Sequence, residues 1–189
     1  NDFYELVLGP SMAYTCACYP SADATLEQAQ EHKFDLVCRK LGLEPGMRLL
    51  DIGCGWGPIT LALALAAPSA TVTAVDVNER ALDLCATNVA AQGCSNVTTA
   101  RPSQVPADVR FDLIWSNPPI RIGKPAVQEL LGTWLPRLTQ GADAHLVIGK
   151  NLGADGYQRW ISTELSLPTE RVASSKGFRV LRTSRPAGG

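Results

Sequence analysis

The chain has 189 residues, 46% of them hydrophobic and 19% charged, with a formal net charge of −1. These values fit one globular domain with one core and exclude wholesale disorder, and the near-neutral balance gives no global sign of nucleic-acid binding. No apolar run reaches the roughly 18 residues that a membrane span needs; Ile59-Thr-Leu-Ala-Leu-Ala-Leu-Ala-Ala67 stops at Pro68.

Nothing at the N-terminus resembles a signal peptide. The six cysteines form no C-x-x-C pair and lie far from His32 and His145, so the expectation is small buried thiols in a reducing cytoplasm, with no disulfide and no metal site. Charge is unevenly spread: residues 1–57 hold 4 Lys/Arg against 8 Asp/Glu, and residues 121–189 hold 10 against 5. The basic C-terminal part is either a surface facing phosphates or an ordinary solvated face.

In chain order, residues 1–24 read as irregular and 25–43 as an amphipathic helix, capped by Asp23 or Thr25 and stopped by Gly42. Residues 1–44 are thus an extension packed on a domain spanning 45–185, with 186–189 a flexible tail. After Pro45-Gly46, strands are predicted at 48–52, 71–76, 96–100, 111–116, 144–149, 171–174 and 178–182, and helices at 58–67, 79–92, 125–138 and 157–165. The crossover over 102–110 is short and irregular. Such alternation predicts an α/β fold, a doubly wound, seven-stranded, mostly parallel sheet with an N-terminal helical extension. The last two strands, separated by Ser175-Lys-Gly177, are expected to form an antiparallel hairpin at the sheet edge.

Two sites stand out. The first strand runs through Asp51 into Gly53-Cys54-Gly55-Trp56-Gly57 and a helix opening on Pro58. Glycines let the backbone turn sharply and approach a ligand, but the Gly-x-Gly-x-Gly spacing is not that of a dinucleotide fingerprint. The second strand ends in Asp76, followed by Val77 and Asn78. Its carboxylate is suited to a pair of ribose hydroxyls, the alternative being a cap on the next helix. After the third strand, Arg101-Pro-Ser103 offers a backbone amide or the Ser103 hydroxyl to an adenine edge.

The fourth strand ends in Asn117-Pro118-Pro119-Ile120, the most chemically specific stretch of the chain. A conjugated amine is planar and a poor nucleophile, so it must be held with its nitrogen aimed at the methyl donor. The Asn117 side-chain oxygen and the Pro118 carbonyl can each accept one N–H, and the two prolines stiffen the loop. A bare Pro-rich strand end is the alternative. Arg121, Lys124 and Lys150 on the same rim are candidates for holding a phosphate, whereas Trp134 and Trp160 read as core.

The glycine loop with Asp51 resembles motif I of class I S-adenosylmethionine-dependent methyltransferases. That resemblance implies a Rossmann-like fold and this cofactor, bound by Asp51, Gly53, Cys54, Gly55, Gly57, Asp76, Val77, Arg101, Ser103 and Asn117. Within that class two families are evoked. Gly57-Pro-Ile-Thr-Leu-Ala62, Ala74-Val-Asp-Val-Asn-Glu-Arg-Ala-Leu82, Trp115-Ser-Asn-Pro-Pro-Ile-Arg-Ile-Gly-Lys124 and Lys150-Asn-Leu-Gly-Ala-Asp155 make residues 58–185 similar to the small-methyltransferase family that forms N2-methylguanine in ribosomal RNA. Phe3-Tyr-Glu-Leu-Val-Leu-Gly-Pro-Ser-Met-Ala-Tyr-Thr-Cys-Ala-Cys-Tyr19 and Leu43-Glu-Pro-Gly-Met-Arg-Leu-Leu-Asp-Ile-Gly-Cys-Gly-Trp-Gly57 make residues 1–57 resemble cyclopropane-fatty-acid and mycolic-acid cyclopropane synthases.

The chain therefore looks like a hybrid. Its second half implies methyl transfer to a guanine of ribosomal RNA or the small ribosomal subunit, with Asn117, Pro118, Pro119 and Ile120 as the catalytic loop. Ile120 replaces the aromatic usual at that position. The alternatives are methylation of a protein glutamine, lipid cyclopropanation, and cofactor binding without turnover.

Overall fold

A computed structural model describes residues 20, 21, 23–26, 28, 29, 32, 41–175 and 177–188. Most of the expected N-terminal helix and all of residues 1–19 lie outside these. What is described of the helix start resolves the choice of cap. Thr25 Oγ1 accepts the Gln28 N–H (3.2 Å) and Gln28 Oε1 accepts the Thr25 N–H (3.0 Å), a reciprocal box that satisfies two helix-end donors.

The domain is a seven-stranded sheet in the order β3-β2-β1-β4-β5-β7-β6. Its strands are β1 (Arg48–Ile52), β2 (Thr71–Val75), β3 (Val97–Ala100), β4 (Phe111–Ser116), β5 (Leu138–Gly149), β6 (Thr169–Ser175) and β7 (Phe178–Ser184). Strands β1 to β5 pair in parallel and β7 is antiparallel to both β5 and β6. Helices α1 (Pro58–Ala66) and α2 (Glu79–Ala91) join the first three strands, while α3 (Lys124–Trp134) and α4 (Ala154–Glu164) flank β5. None is long and apolar enough to cross a membrane.

Strand alternation divides the core. Leu50, Ile52, Ile114, Leu146, Ile148 and Leu181 pack with Val127 and Leu131 of α3 and Ile161 of α4. On the opposite face Leu49, Val72 and Leu113 meet Leu63 and Ala64 of α1, as a doubly wound sheet requires. Trp134 is buried in the first cluster and Trp160 packs against it, as core residues.

Three boundaries depart from the expectation by three or more residues. β5 begins at Leu138, not at 144. Thr139 to Asp143 reads locally as a turn, yet its backbone is paired: Gly141 donates to the Arg185 carbonyl, Arg185 donates to the Ala142 carbonyl (both 2.9 Å), and Thr139 Oγ1 donates to Asp112. The preceding helix accordingly ends at Trp134 and tightens into a 3₁₀ turn over Leu135–Arg137. α4 starts at Ala154, three residues early, because Gly153 takes a left-handed conformation (φ 89°) and serves as its N-cap.

The irregular crossover before β4 is clamped from inside by Arg137. Its Nε donates to the Val109 carbonyl (3.1 Å) and its Nη2 to that of Pro106, while the guanidinium lies 4.6 Å from the Trp134 ring and 5.4 Å from that of Phe111. Charge-assisted bonds to carbonyls and a partly desolvated cation–π contact predict that Arg137→Ala lowers stability by about 2–4 kcal/mol. Urea unfolding should show a lower midpoint with an unchanged slope. Arg137→Lys should recover less than half, since one ammonium cannot span both carbonyls; full recovery would mean that charge alone holds the crossover.

Candidate active site

The carboxyl ends of β1, β2 and β4 converge, and short bonds lock them together. Ser116 Oγ, buried at the end of β4, donates to the Ile52 carbonyl (2.9 Å) at the end of β1. Gly53 and Cys54 both donate to the Val75 carbonyl (2.8 and 3.1 Å), holding the glycine loop against β2. Gly53, Gly55 and Gly57 have φ of 74°, 57° and 94°, which side chains rarely adopt.

The three glycines do different work. A Cβ at Gly53 would come 4.0 Å from the Asn117 backbone oxygen, and one at Gly55 would meet nothing within 4 Å, so this part of the loop lies open to a ligand. A Cβ at Gly57 would instead sit 2.7 Å from Cys85 Sγ. Gly57 therefore serves the close approach of α2.

Asp76 is tied into the loop by both oxygens. Oδ2 accepts the Gly55 N–H (3.0 Å) and Oδ1 the Asn78 N–H (2.9 Å). Asn78, not Asp76, caps α2, its side chain accepting the Arg80 N–H at 3.0 Å. The carboxylate is only partly buried and each oxygen keeps a free acceptor direction, the arrangement that a vicinal diol requires. Val77, beside it, is 79% exposed, an apolar side chain free to cover a flat ring.

Asp51 is fully buried and accepts a 2.7 Å hydrogen bond from Thr60 Oγ1. Burial outweighs that bond and lifts its pKa to about 6. Cys54 contributes backbone only. Its side chain is buried in the cluster formed with Leu61, Leu82 and Cys85, and its bond with Cys85, together with burial, pushes its thiol pKa upward. It is a neutral filler.

Past β3 the structure narrows the adenine candidates. The Arg101 side chain pairs with Glu79 and its backbone N–H donates to Gln104 Oε1 (2.7 Å), which leaves the backbone amide and the exposed hydroxyl of Ser103. At the end of β4, Asn117 and Pro119 are exposed, Pro118 is buried and Ile120 half-buried. The Pro118 carbonyl already accepts the Ile120 N–H at 2.8 Å, so one of its two lone pairs remains. Arg121, Lys124 and Lys150 are exposed on the adjoining loops.

Sequence reading did not single out Thr60, Ser116, Cys85 or Asn88, whose Nδ2 donates to the Trp56 carbonyl (2.9 Å). Only Thr60 carried a signal, as the one hydroxyl in an otherwise apolar helix.

The raised Asp51 pKa has a stability consequence. The folded chain holds this proton up to about pH 6, whereas an unfolded aspartate releases it near 3.9. Its contribution is thus most favourable below about pH 4 and is lost as pH rises through 6, an effect on the order of 3 kcal/mol. Urea unfolding of the parent and Asp51→Asn, compared from pH 4 to 8, should show the variant gaining relative stability across that window. A constant difference would mean that Asp51 titrates normally.

Comparison with known proteins supplies the family. The family model described as mycolic acid cyclopropane synthetase matches residues 1–115. It therefore runs past the glycine loop, where the residue-level resemblance to that family was expected to end, and stops two residues before Asn117. The chain is 70% identical over 57 residues to a probable fatty acid methyltransferase of Mycobacterium tuberculosis, covering 30% of this chain and 13% of that protein. It is 40% identical over 119 residues to a probable fatty acid methyltransferase of Pseudomonas putida, covering 61% of this chain and 30% of the other. The chain thus spans less than a third of either curated relative.

Among solved structures, a 16S rRNA N2 methyltransferase of T. thermophilus in complex with AdoMet and guanosine superposes with a TM-score of 0.65 at 20% identity, over 88% of this chain and 45% of that one. The mycolic acid cyclopropane synthase CmaA1 does so with a TM-score of 0.53 at 24% identity, over 85% and 66%. Fold, glycine loop and family match agree on S-adenosylmethionine as the cofactor. The chain belongs to the mycolic acid cyclopropane synthetase family, within the class I S-adenosylmethionine-dependent methyltransferases.

Proposed function

We propose that this methyltransferase acts in the cytoplasm on a planar exocyclic amine, the N2 amine of a guanine in ribosomal RNA. The observation that carries this reading is the Asn117-Pro118-Pro119 loop, which leaves β4 directly beside the glycine loop, its backbone within 4.0 Å of the Cβ position of Gly53. The exposed Asn117 side chain accepts one N–H of the amine and the remaining lone pair of Pro118 accepts the other. Both N–H groups are then fixed, and the nitrogen faces the loop of Gly53 and Gly55. Ile120 covers the base by apolar contact in place of a ring, and Arg121, Lys124 and Lys150 hold flanking phosphates.

On the cofactor side, the free directions of Asp76 take the ribose hydroxyls, Val77 and Ser103 meet the adenine, and the open backbone of Gly53 to Gly55 faces the amino-acid end. The bound cofactor supplies an electrophilic methyl group. The chain's own task is alignment, because an amine that loses its proton during or after attack needs no strong base.

A second reading, methylation of an unsaturated acyl chain, is favoured by the family match over residues 1–115 and by the two fatty acid methyltransferases. Against it weighs the position of the amine-binding loop, which begins beyond that match. Incubation with methyl-labelled cofactor and, separately, undermethylated small ribosomal subunits, naked RNA and phospholipid vesicles should label RNA. Label in phospholipid alone would sink the guanine reading.

Two substitutions separate the half-sites. Asp76→Ala should weaken cofactor binding by about 1.5–3 kcal/mol, the range for hydrogen bonds to a charged group, and calorimetry with unchanged affinity would reduce Asp76 to a loop staple. Asn117→Ala should keep cofactor affinity but lose on the order of a hundredfold in turnover, since misplacement by about 1 Å can cost that much. A parent-like rate would rule out the amine clamp.

A further inference from the structure

The β4-β5-β7 side of the mouth carries exposed side chains that neither half-site uses. Phe178 opens β7 opposite Gly149, the last residue of β5, and is 51% exposed. Leu181 lies in the core with Tyr157 and Ile161 of α4, so alternation turns Phe178 to the other face. Leu152, also exposed, lies over Gly149, its Cδ1 3.0 Å from where a Cβ would stand. The Lys150 N–H donates to the Gly177 carbonyl (2.7 Å), tying the end of β5 to the turn that presents Phe178.

The charges of this rim do not cancel. Asp155 pairs with Arg179, Glu79 with Arg101, and Asp76 is held by two N–H groups. Arg121, Lys124 and Lys150 are exposed and form no ion pair among the described residues. An aromatic face therefore stands beside one uncompensated cation, Lys150, with Arg121 and Lys124 on the loop after β4, at the edge of a site whose own loop carries Ile120 where a ring would stack.

Phe178 cannot reach a base held at Asn117. It lies two strands from β4, roughly 10 Å at about 4.8 Å per strand, and three residues farther along β5 than the partner of Ser116, roughly another 10 Å. It can reach a neighbouring nucleotide. Resting on the guanine reading, we propose that Phe178 and Leu152 form a stacking platform for a base flanking the target, with Arg121, Lys124 and Lys150 on the phosphates between, so that the acceptor enters as unpaired single-stranded RNA. A base–phosphate repeat matches an aromatic face alternating with cations.

The test is fluorescence anisotropy of a labelled, guanine-containing single-stranded oligoribonucleotide with the full chain, run over a salt series beside vesicles containing phosphatidylglycerol. Phe178→Ala and Phe178→Leu should weaken RNA binding by between about fivefold and a hundredfold, the range for one base–aromatic stack, and Phe178→Trp should restore it. Those variants should keep the parent's salt slope and cofactor affinity, whereas Lys150→Ala should reduce the slope by about 0.7.

If Phe178→Leu bound RNA like the parent, stacking would be excluded. If Phe178→Ala did so while the parent methylated RNA, the platform would fall and the guanine reading would stand. A parent that neither bound nor methylated RNA would overturn both. Vesicle binding lost in Phe178→Ala, with RNA binding intact, would make the rim a lipid dock and overturn the proposal.

Discussion

The mouth of this sheet depends on one carboxylate. Asp76 accepts an N–H from the glycine loop with one oxygen and the N–H at the entry to α2 with the other, so it ties the loops after β1 and β2 together. Charge-assisted bonds of this kind are short and directional, and they leave outward lone pairs on a group already fixed in place. Asp51, at the neighbouring strand end, shows the opposite environment. It is buried and bonded to Thr60, and burial lifts its pKa to about 6. Two aspartates of similar sequence context thus divide between a half-exposed carboxylate that staples two loops and a packed one whose pKa burial raises to about 6.

The legible parts of the chain were those whose signal is local. β1 and β4 match their predicted bounds because Gly53 and Asn117-Pro118 end them abruptly. The glycine loop, Asp76 and the Asn-Pro-Pro loop are each contiguous motifs whose geometry follows from a few residues. β5 was cut short because Thr139 to Asp143 has the composition of a turn, and only a partner remote in sequence, Arg185, reveals it as paired strand. Cys85 was invisible for the same reason. Nothing in a helix sequence says that one of its thiols will rest against Gly57.

The family match and the site chemistry point in different directions at one place in the fold. The match covers the chain to the penultimate residue of β4, which includes the half of the mouth that carries the glycine loop and Asp76. That half is a matter of backbone, a glycine turn and a carboxylate, and any acceptor can be served from it. On the function proposed here, the acceptor is selected on the loops after β4 and β5, where Asn117, the cations and the exposed apolar residues stand. Sharing a cofactor cradle therefore constrains the substrate weakly, as expected when function resides in sites grafted on a common fold.

Trp56 gives the cofactor loop an optical signature. Its backbone is anchored to Asn88, yet its indole is 36% exposed at the crest of the glycine loop, while Trp134 is buried and Trp115 and Trp160 are partly so. The most solvent-exposed indole of the folded chain thus stands on the glycine loop, so the protein carries its own fluorophore beside the proposed cofactor site.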